Sequence, residues 1–128
     1  MLDHITLQVS NYAIAKAFYE QALKPLGYTL IMEFQAEGSG VGHAGGFGVA
    51  GKPDYWIAEG DKVVPRVHVA FRADTRQAVE DFHRAAIAAG ATDNGAPGLR
   101  PHYHANYYGA FVLDPDGHNI EAVCHSPA

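Results

Sequence analysis

The chain repeats itself. His4 and His68, Ser10 and Asp74, Phe18 and Phe82, and Phe47 and Phe111 each stand 64 positions apart. One such pair means nothing, but four at one spacing, each in a matching local setting, indicate an internal duplication. The fold therefore has to be one that a short unit can build twice.

The unit is legible in both copies. In the first, His4–Val9 alternates as a strand, with Ile5, Leu7 and Val9 on one face and His4, Thr6 and Gln8 on the other. Ser10 or Asn11 caps a helix whose apolar stripe takes in Ile14, Ala17, Phe18 and Leu23, and Pro25 and Gly27 close it. Strands are expected over Tyr28–Phe34, about Phe47–Ala50 and Tyr55–Ala58, with the glycine-rich Gln35–Gly46 as a loop. The second copy opens on Val67, Val69 and Phe71 alternating with His68, Ala70 and Arg72. Asp74 caps a helix from Thr75 to about Ala89 with Ala78, Val79, Phe82 and Ala86 along its stripe, and Gly90 ends it. Thr92 to about Asn106 reads as a loop. Two apolar runs then flank Asp114-Pro115-Asp116-Gly117, where proline presets φ and glycine supplies a positive φ, which marks a hairpin.

Composition narrows the function classes. A chain of 128 residues, 48% of them hydrophobic, is one globular domain that can bury a real core. A formal net charge of -5 without a Lys/Arg cluster weighs against a nucleic-acid or anionic-membrane surface. No apolar run approaches the roughly 18 residues of a membrane span, and Met1-Leu2-Asp3-His4 has no signal-peptide pattern. The expectation is a cytoplasmic protein with a small-molecule substrate. Cys124, the single cysteine, sits at an apolar strand position and reads as core. Against this background the 8 His and 7 Tyr stand out.

In the closing strand Ile120, Ala122 and Cys124 share one face, while Asn119, Glu121 and Val123 share the other. A mid-strand carboxylate is unusual, and burying one is costly unless it is paired or holds a metal. A solvated glutamate is the plain alternative. A lone strand histidine is likewise more often exposed than a ligand, yet the duplication places His4 and His68 at matched sites on the more polar faces of equivalent strands. If those faces share a cleft, His4, His68 and Glu121 converge as two imidazoles and one carboxylate. That set holds divalent metals and leaves positions for water and substrate.

These features resemble the vicinal oxygen chelate superfamily, which includes glyoxalase I, bleomycin and fosfomycin resistance proteins and extradiol dioxygenases. The resemblance spans essentially the whole chain. It rests on the strand with His4, the helix with Ala17-Phe18-Tyr19, the strand with His68 and, most specifically, Asp114-Pro115-Asp116-Gly117-His118-Asn119-Ile120-Glu121. It implies an α+β fold of two tandem βαβββ modules, about 1–60 and 65–128, forming a curved mixed sheet around a cleft. It implies His4, His68 and Glu121 as ligands of one divalent metal per site (Fe, Ni, Mn or Zn), and a homodimer. A fourth ligand known in glyoxalase I falls, by the offset, on Ile57, which is not a usual ligand; Glu59 is the nearest carboxylate on that face. A three-ligand site is what the dioxygenases and fosfomycin-modifying members are expected to have.

The stretch Arg100-Pro101-His102-Tyr103-His104-Ala105-Asn106-Tyr107-Tyr108 concentrates groups that move protons and orient oxygens, although an aromatic loop packed on the sheet has the same composition. His104 and Tyr108 are the catalytic candidates. Arg100, His102 and Tyr107, with Trp56 from the first unit, are the substrate-binding candidates. Three functions fit: a glyoxalase-like lyase or isomerase, an extradiol-type ferrous dioxygenase, and a drug-binding resistance protein without catalysis. The first ranks highest. The short connection Gly60–Pro65 leaves open whether the units pair within one chain or across a dimer.

Overall fold

The computed structural model describes residues 1–35 and 43–128. Its elements are β1 (Ile5–Val9), α1 (Tyr12–Ala22), β2 (Thr29–Phe34), β3 (Ala44–Val49), β4 (Lys52–Glu59), β5 (His68–Arg72), α2 (Arg76–Ala88), β6 (Thr92–Leu99), β7 (Tyr108–Leu113) and β8 (Asn119–Cys124). Each half builds its own four-stranded sheet, in the orders β1-β4-β3-β2 and β5-β8-β7-β6. In both, the first strand pairs in parallel with the last, which the crossover through the helix permits, and the other neighbours pair antiparallel. The α+β fold of two βαβββ modules stands, as two mixed sheets that do not close into one.

The helices begin on side chains that satisfy their first free N–H groups. Asn11 Oδ1 accepts from the Ile14 amide at 3.1 Å, and Thr75 Oγ1 accepts from the Ala78 amide at 3.0 Å. Asp74, expected as the second cap, is displaced by its neighbour. The buried stripe of α1 runs through Tyr12, Ala15, Phe18, Tyr19 and Ala22, leaving Ile14 exposed.

Two expected loops contain strands. β3 starts at Ala44, and its glycines give clearance: a Cβ on Gly45 would lie 2.5 Å from the Tyr12 hydroxyl, and one on Gly46 would lie 2.8 Å from the Trp56 indole. Residues 36–42 of that stretch lie outside the described residues. β6 fills Thr92–Leu99; as an edge strand with two irregularities against β7 it accommodates Pro97 and its glycines.

The two sheets turn their helix-side faces into one core. Leu7, Val9, Phe47, Tyr55 and Ile57 of the first sheet join Phe71, Val112, Ile120, Ala122 and Cys124 of the second in a single cluster with both helices. Tyr28 and Tyr55 pack edge-on against Phe71, with ring centres 5.5 and 5.0 Å away. The hairpin turn of the second unit is keyed onto the first. Tyr19 donates to Asp114 Oδ2 at 2.5 Å, Asp114 Oδ1 accepts from the Asp116 and His118 amides, and the Ser10 amide donates to Asp116. Buried His118 accepts from the Val67 amide at 2.9 Å, which fixes the entry of β5 beside β8. The strand faces away from the helices, one next to His4 and the other carrying Glu121, lie outside this core.

Candidate metal and substrate site

Register sets the site. β8 lies between β5 and β7, and Glu121 is paired with Ala70 on one side and Phe111 on the other. His68, two residues before Ala70, shares that face. Its Nε2 lies 2.9 Å from Glu121 Oε1, and Tyr107 donates its hydroxyl proton to Glu121 Oε2. The carboxylate is 1% exposed, whereas the His68 side chain is half exposed. A Cβ at Gly109 would come within 3.3 Å of Glu121 Oε2 and 3.2 Å of the Tyr107 ring, so glycine there leaves room for the phenol–carboxylate pair. Burial, then the hydrogen bond to Glu121, pushes the Tyr107 phenol well above its ordinary range. It remains a donor near neutral pH.

His4 lies on the other sheet. Its Nδ1 is 2.7 Å from Asp3 Oδ1, and it shares a depression of about 310 Å³ with Thr6, Pro53 and Trp56. His4 and His68 also both line a groove of about 470 Å³ between the sheets, together with Tyr28, Tyr55 and Phe71. Among the described residues no three His, Cys, Asp or Glu side chains come close enough together to hold one ion. One chain therefore brings together two members of the expected ligand set, His68 and Glu121, and not the third.

The remaining candidates divide. Trp56 stacks on Phe34 with ring centres 5.8 Å apart, on the open face of the first sheet. Arg100 donates to the Gly98 and Ala96 carbonyls and lies 5.4 Å over Phe111, the neighbour of Glu121. His102 is exposed and packs on Tyr103. His104 Nε2 lies 2.6 Å from Nδ1 of His125, a residue that the sequence reading missed. Its signal was the hairpin itself: Tyr108 pairs with Cys124, so Tyr107 and His125 follow on opposite each other.

Tyr108 requires a correction. Phe111 faces the site, and a residue three positions away on the same strand points to the other face. The Tyr108 hydroxyl accordingly donates to Glu80 of α2 at 2.7 Å, with the Arg76 guanidinium over its ring. The phenol at Glu121 is Tyr107.

The equivalent of Glu121 in the first unit also shifts. Ala70 pairs with Glu121, whereas Thr6, 64 positions before Ala70, pairs with Trp56, 65 before Glu121. A slip of one residue reverses the faces, so the first-unit position equivalent to Glu121 is Trp56, and Ile57 is buried in the core. Glu59 accepts from the Tyr12 amide at the start of α1 and does not turn to the open face.

The sequence profile of the Glyoxalase/Bleomycin resistance protein/Dioxygenase superfamily matches residues 1–122. No curated protein sequence matches the chain. Among solved structures, a glyoxalase/bleomycin resistance protein from Albidiferax ferrireducens T118 is 25% identical with a TM-score of 0.76, covering 98% of this chain and 99% of that one. A mutant of the fosfomycin resistance protein FosX from Listeria monocytogenes, complexed with Mn(II) and 1S,2S-dihydroxypropylphosphonic acid, is 23% identical with a TM-score of 0.71, covering 98% and 93%. A glyoxalase I mutant from Zea mays is 20% identical with a TM-score of 0.73, covering 95% of this chain and 46% of that one.

Proposed function

Because the chain belongs to the Glyoxalase/Bleomycin resistance protein/Dioxygenase superfamily, we propose that it is a divalent-metal-dependent enzyme of glyoxalase-like lyase or isomerase type. Its substrate is a small molecule with adjacent oxygens. The observation that carries this reading is the pair of donor atoms His68 Nε2 and Glu121 Oε1, 2.9 Å apart outside the core. The residues fit a cation. An imidazole and a carboxylate are donors that Fe, Ni, Mn and Zn accept, and a carboxylate that is 1% exposed, with a histidine on one oxygen and a neutral phenol on the other, favours positive charge beside it. His4 supplies the third donor from a second copy, in a homodimer that sets the first unit of one chain against the second unit of the other.

When bound, the metal supplies positive charge to adjacent substrate oxygens as negative charge develops there. The chain's own groups do the rest. Tyr107 holds Glu121 Oε2 and so turns Oε1 towards His68. Glu121 is the base that takes a proton from one substrate carbon and returns it to the neighbouring one, and Tyr107 is the hydrogen-bond donor that steadies it. Arg100 over Phe111 forms one wall, and Trp56 stacked on Phe34 forms the wall brought by the second copy.

Trp56 at the fourth-ligand position favours a second reading, an extradiol-type ferrous dioxygenase. A three-residue set leaves positions for a catechol-like substrate together with dioxygen. The test is anaerobic purification and separate reconstitution with ferrous, nickel, manganese and zinc ions. 2-Oxoaldehyde thiol adducts and catechols are then offered while oxygen uptake is recorded. Oxygen-independent turnover with nickel, manganese or zinc is the expected result. Iron-only, oxygen-consuming turnover replaces it with the second reading, and tight ligand binding without turnover under any metal leaves a sequestering protein.

A further inference from the structure

Two histidines from opposite ends of the closing hairpin meet beside the site. His104 lies in the loop before β7 and His125 follows β8, and both are exposed. Their nitrogens are 2.6 Å apart and their ring centres 4.7 Å apart, with 24° between the planes. Ring centres that close, for nitrogens that close, put both nitrogens near the line joining the centres. The rings therefore meet nitrogen to nitrogen rather than face to face, in good hydrogen-bond geometry. The Asn106 amide donates to His104 Nδ1 at 3.3 Å, which places the His104 proton on Nε2 and makes it the donor to His125 Nδ1.

What this pair touches gives it a role. The Tyr107 ring stands edge-on to both imidazoles, 5.3 Å from His104 and 5.4 Å from His125, and Tyr103 closes a third side at 4.9 Å. An exposed hydrogen bond competes with water and contributes little to overall stability. Here it joins the two chain segments that flank one phenol, and that phenol donates to Glu121. We infer that His104 and His125 are positioning residues: their hydrogen bond closes a brace around Tyr107 and holds its hydroxyl on Glu121 Oε2, setting which carboxylate oxygen is free to bind. This rests on the proposed function only for its consequence at the metal, since the brace itself is made of the chain's own side chains alone.

The experiment uses three substitutions with different chemistry. His125→Asn keeps a polar atom close to the Nδ1 position, His125→Phe keeps the ring without the acceptor, and His125→Ala removes both. The first readout is the NMR signal of the Tyr107 phenol in ring-labelled, metal-free protein, assigned with Tyr107→Phe. The second is Mn(II) affinity. The Phe and Ala variants are expected to move the Tyr107 signal and weaken Mn(II) binding about tenfold, the lower range for groups behind a ligand, while Asn stays near wild type. In a Tyr107→Phe background the effect of His125→Phe on affinity should vanish, because it acts through that hydroxyl. A Tyr107 signal unmoved in His125→Phe, or moved as far by Asn as by Ala, overturns the brace. His68→Ala serves as the control for the metal reading: full Mn(II) binding in that variant removes the metal site, while the Tyr107 signal still decides the brace.

Discussion

Trp56 holds in the first sheet the register position that Glu121 holds in the second. Each stands opposite the parallel edge strand two residues after its histidine, at Thr6 after His4 and at Ala70 after His68. In a dimer that joins the two faces, the indole then stands where a fourth ligand, a second carboxylate, would. Trp56→Glu is expected to strengthen Mn(II) or Ni(II) binding by at least about tenfold, as an added charged donor does on the scale of ligand-shell effects. It also gives up the stack on Phe34, so apolar substrates should bind less well. Titration against a competing chelator decides it; unchanged affinity would place position 56 away from the metal.

The same relationship shows what the sequence disclosed and what it hid. The repeat and the mixed strand–helix order followed from spacing and alternation, whereas the meeting of His68 with Glu121 was expected only on condition that the polar faces share a cleft and from the resemblance. The equivalence of positions 57 and 121 did not, because nothing in composition marks a one-residue slip, and that slip reverses every side chain after it. Gly45 and Gly46 read as loop because a clearance glycine and a turn glycine are the same letter. Tyr12 and Trp56, which require the clearance, lie far away in sequence. Tyr107 and Tyr108 could be told apart only by counting back from Phe111 once the start of β7 was known. His125 acquired a partner only when the hairpin closed.

Gly109 gives a test of the site's packing. Alanine there places a methyl group 3.3 Å from Glu121 Oε2 and 3.2 Å from the Tyr107 ring, close enough that one side chain must move. Gly109→Ala is expected to lower Mn(II) affinity about tenfold with little change in thermal stability, since the atoms that yield are side-chain ends. A titration indistinguishable from wild type would show that the Tyr107–Glu121 contact does not set the affinity.

The link between units can be weighed through Tyr19. Its hydroxyl donates to Asp114 at 2.5 Å in the core, while Asp114 keeps two backbone donors. Tyr19→Phe removes one hydrogen bond to a charged group and should cost about 1.5–3 kcal/mol. Asp114→Ala should cost more, because it strands a buried hydroxyl and two amides at once. Urea unfolding of the three proteins measures both, and equal midpoints for wild type and Tyr19→Phe would mean that the Tyr19–Asp114 hydrogen bond adds nothing to the joining of the units.

The sharpest test of the shared site mixes two inactive chains. If each site takes His4 from one copy and His68 and Glu121 from the other, His4→Ala and His68→Ala homodimers both lack complete sites. In a heterodimer, the first unit of the His68→Ala chain still carries His4, and the second unit of the His4→Ala chain still carries His68 and Glu121. One of its two sites is then whole and the other lacks both imidazoles. Unfolding and refolding an equal mixture makes heterodimers of about half the dimers, so tight metal binding should return to about a quarter of the wild-type capacity. A site built within one chain predicts no recovery, because every chain in the mixture lacks one ligand. Mn(II) capacity at equal protein concentration, with each variant refolded alone as the reference, separates the two arrangements without any knowledge of the substrate.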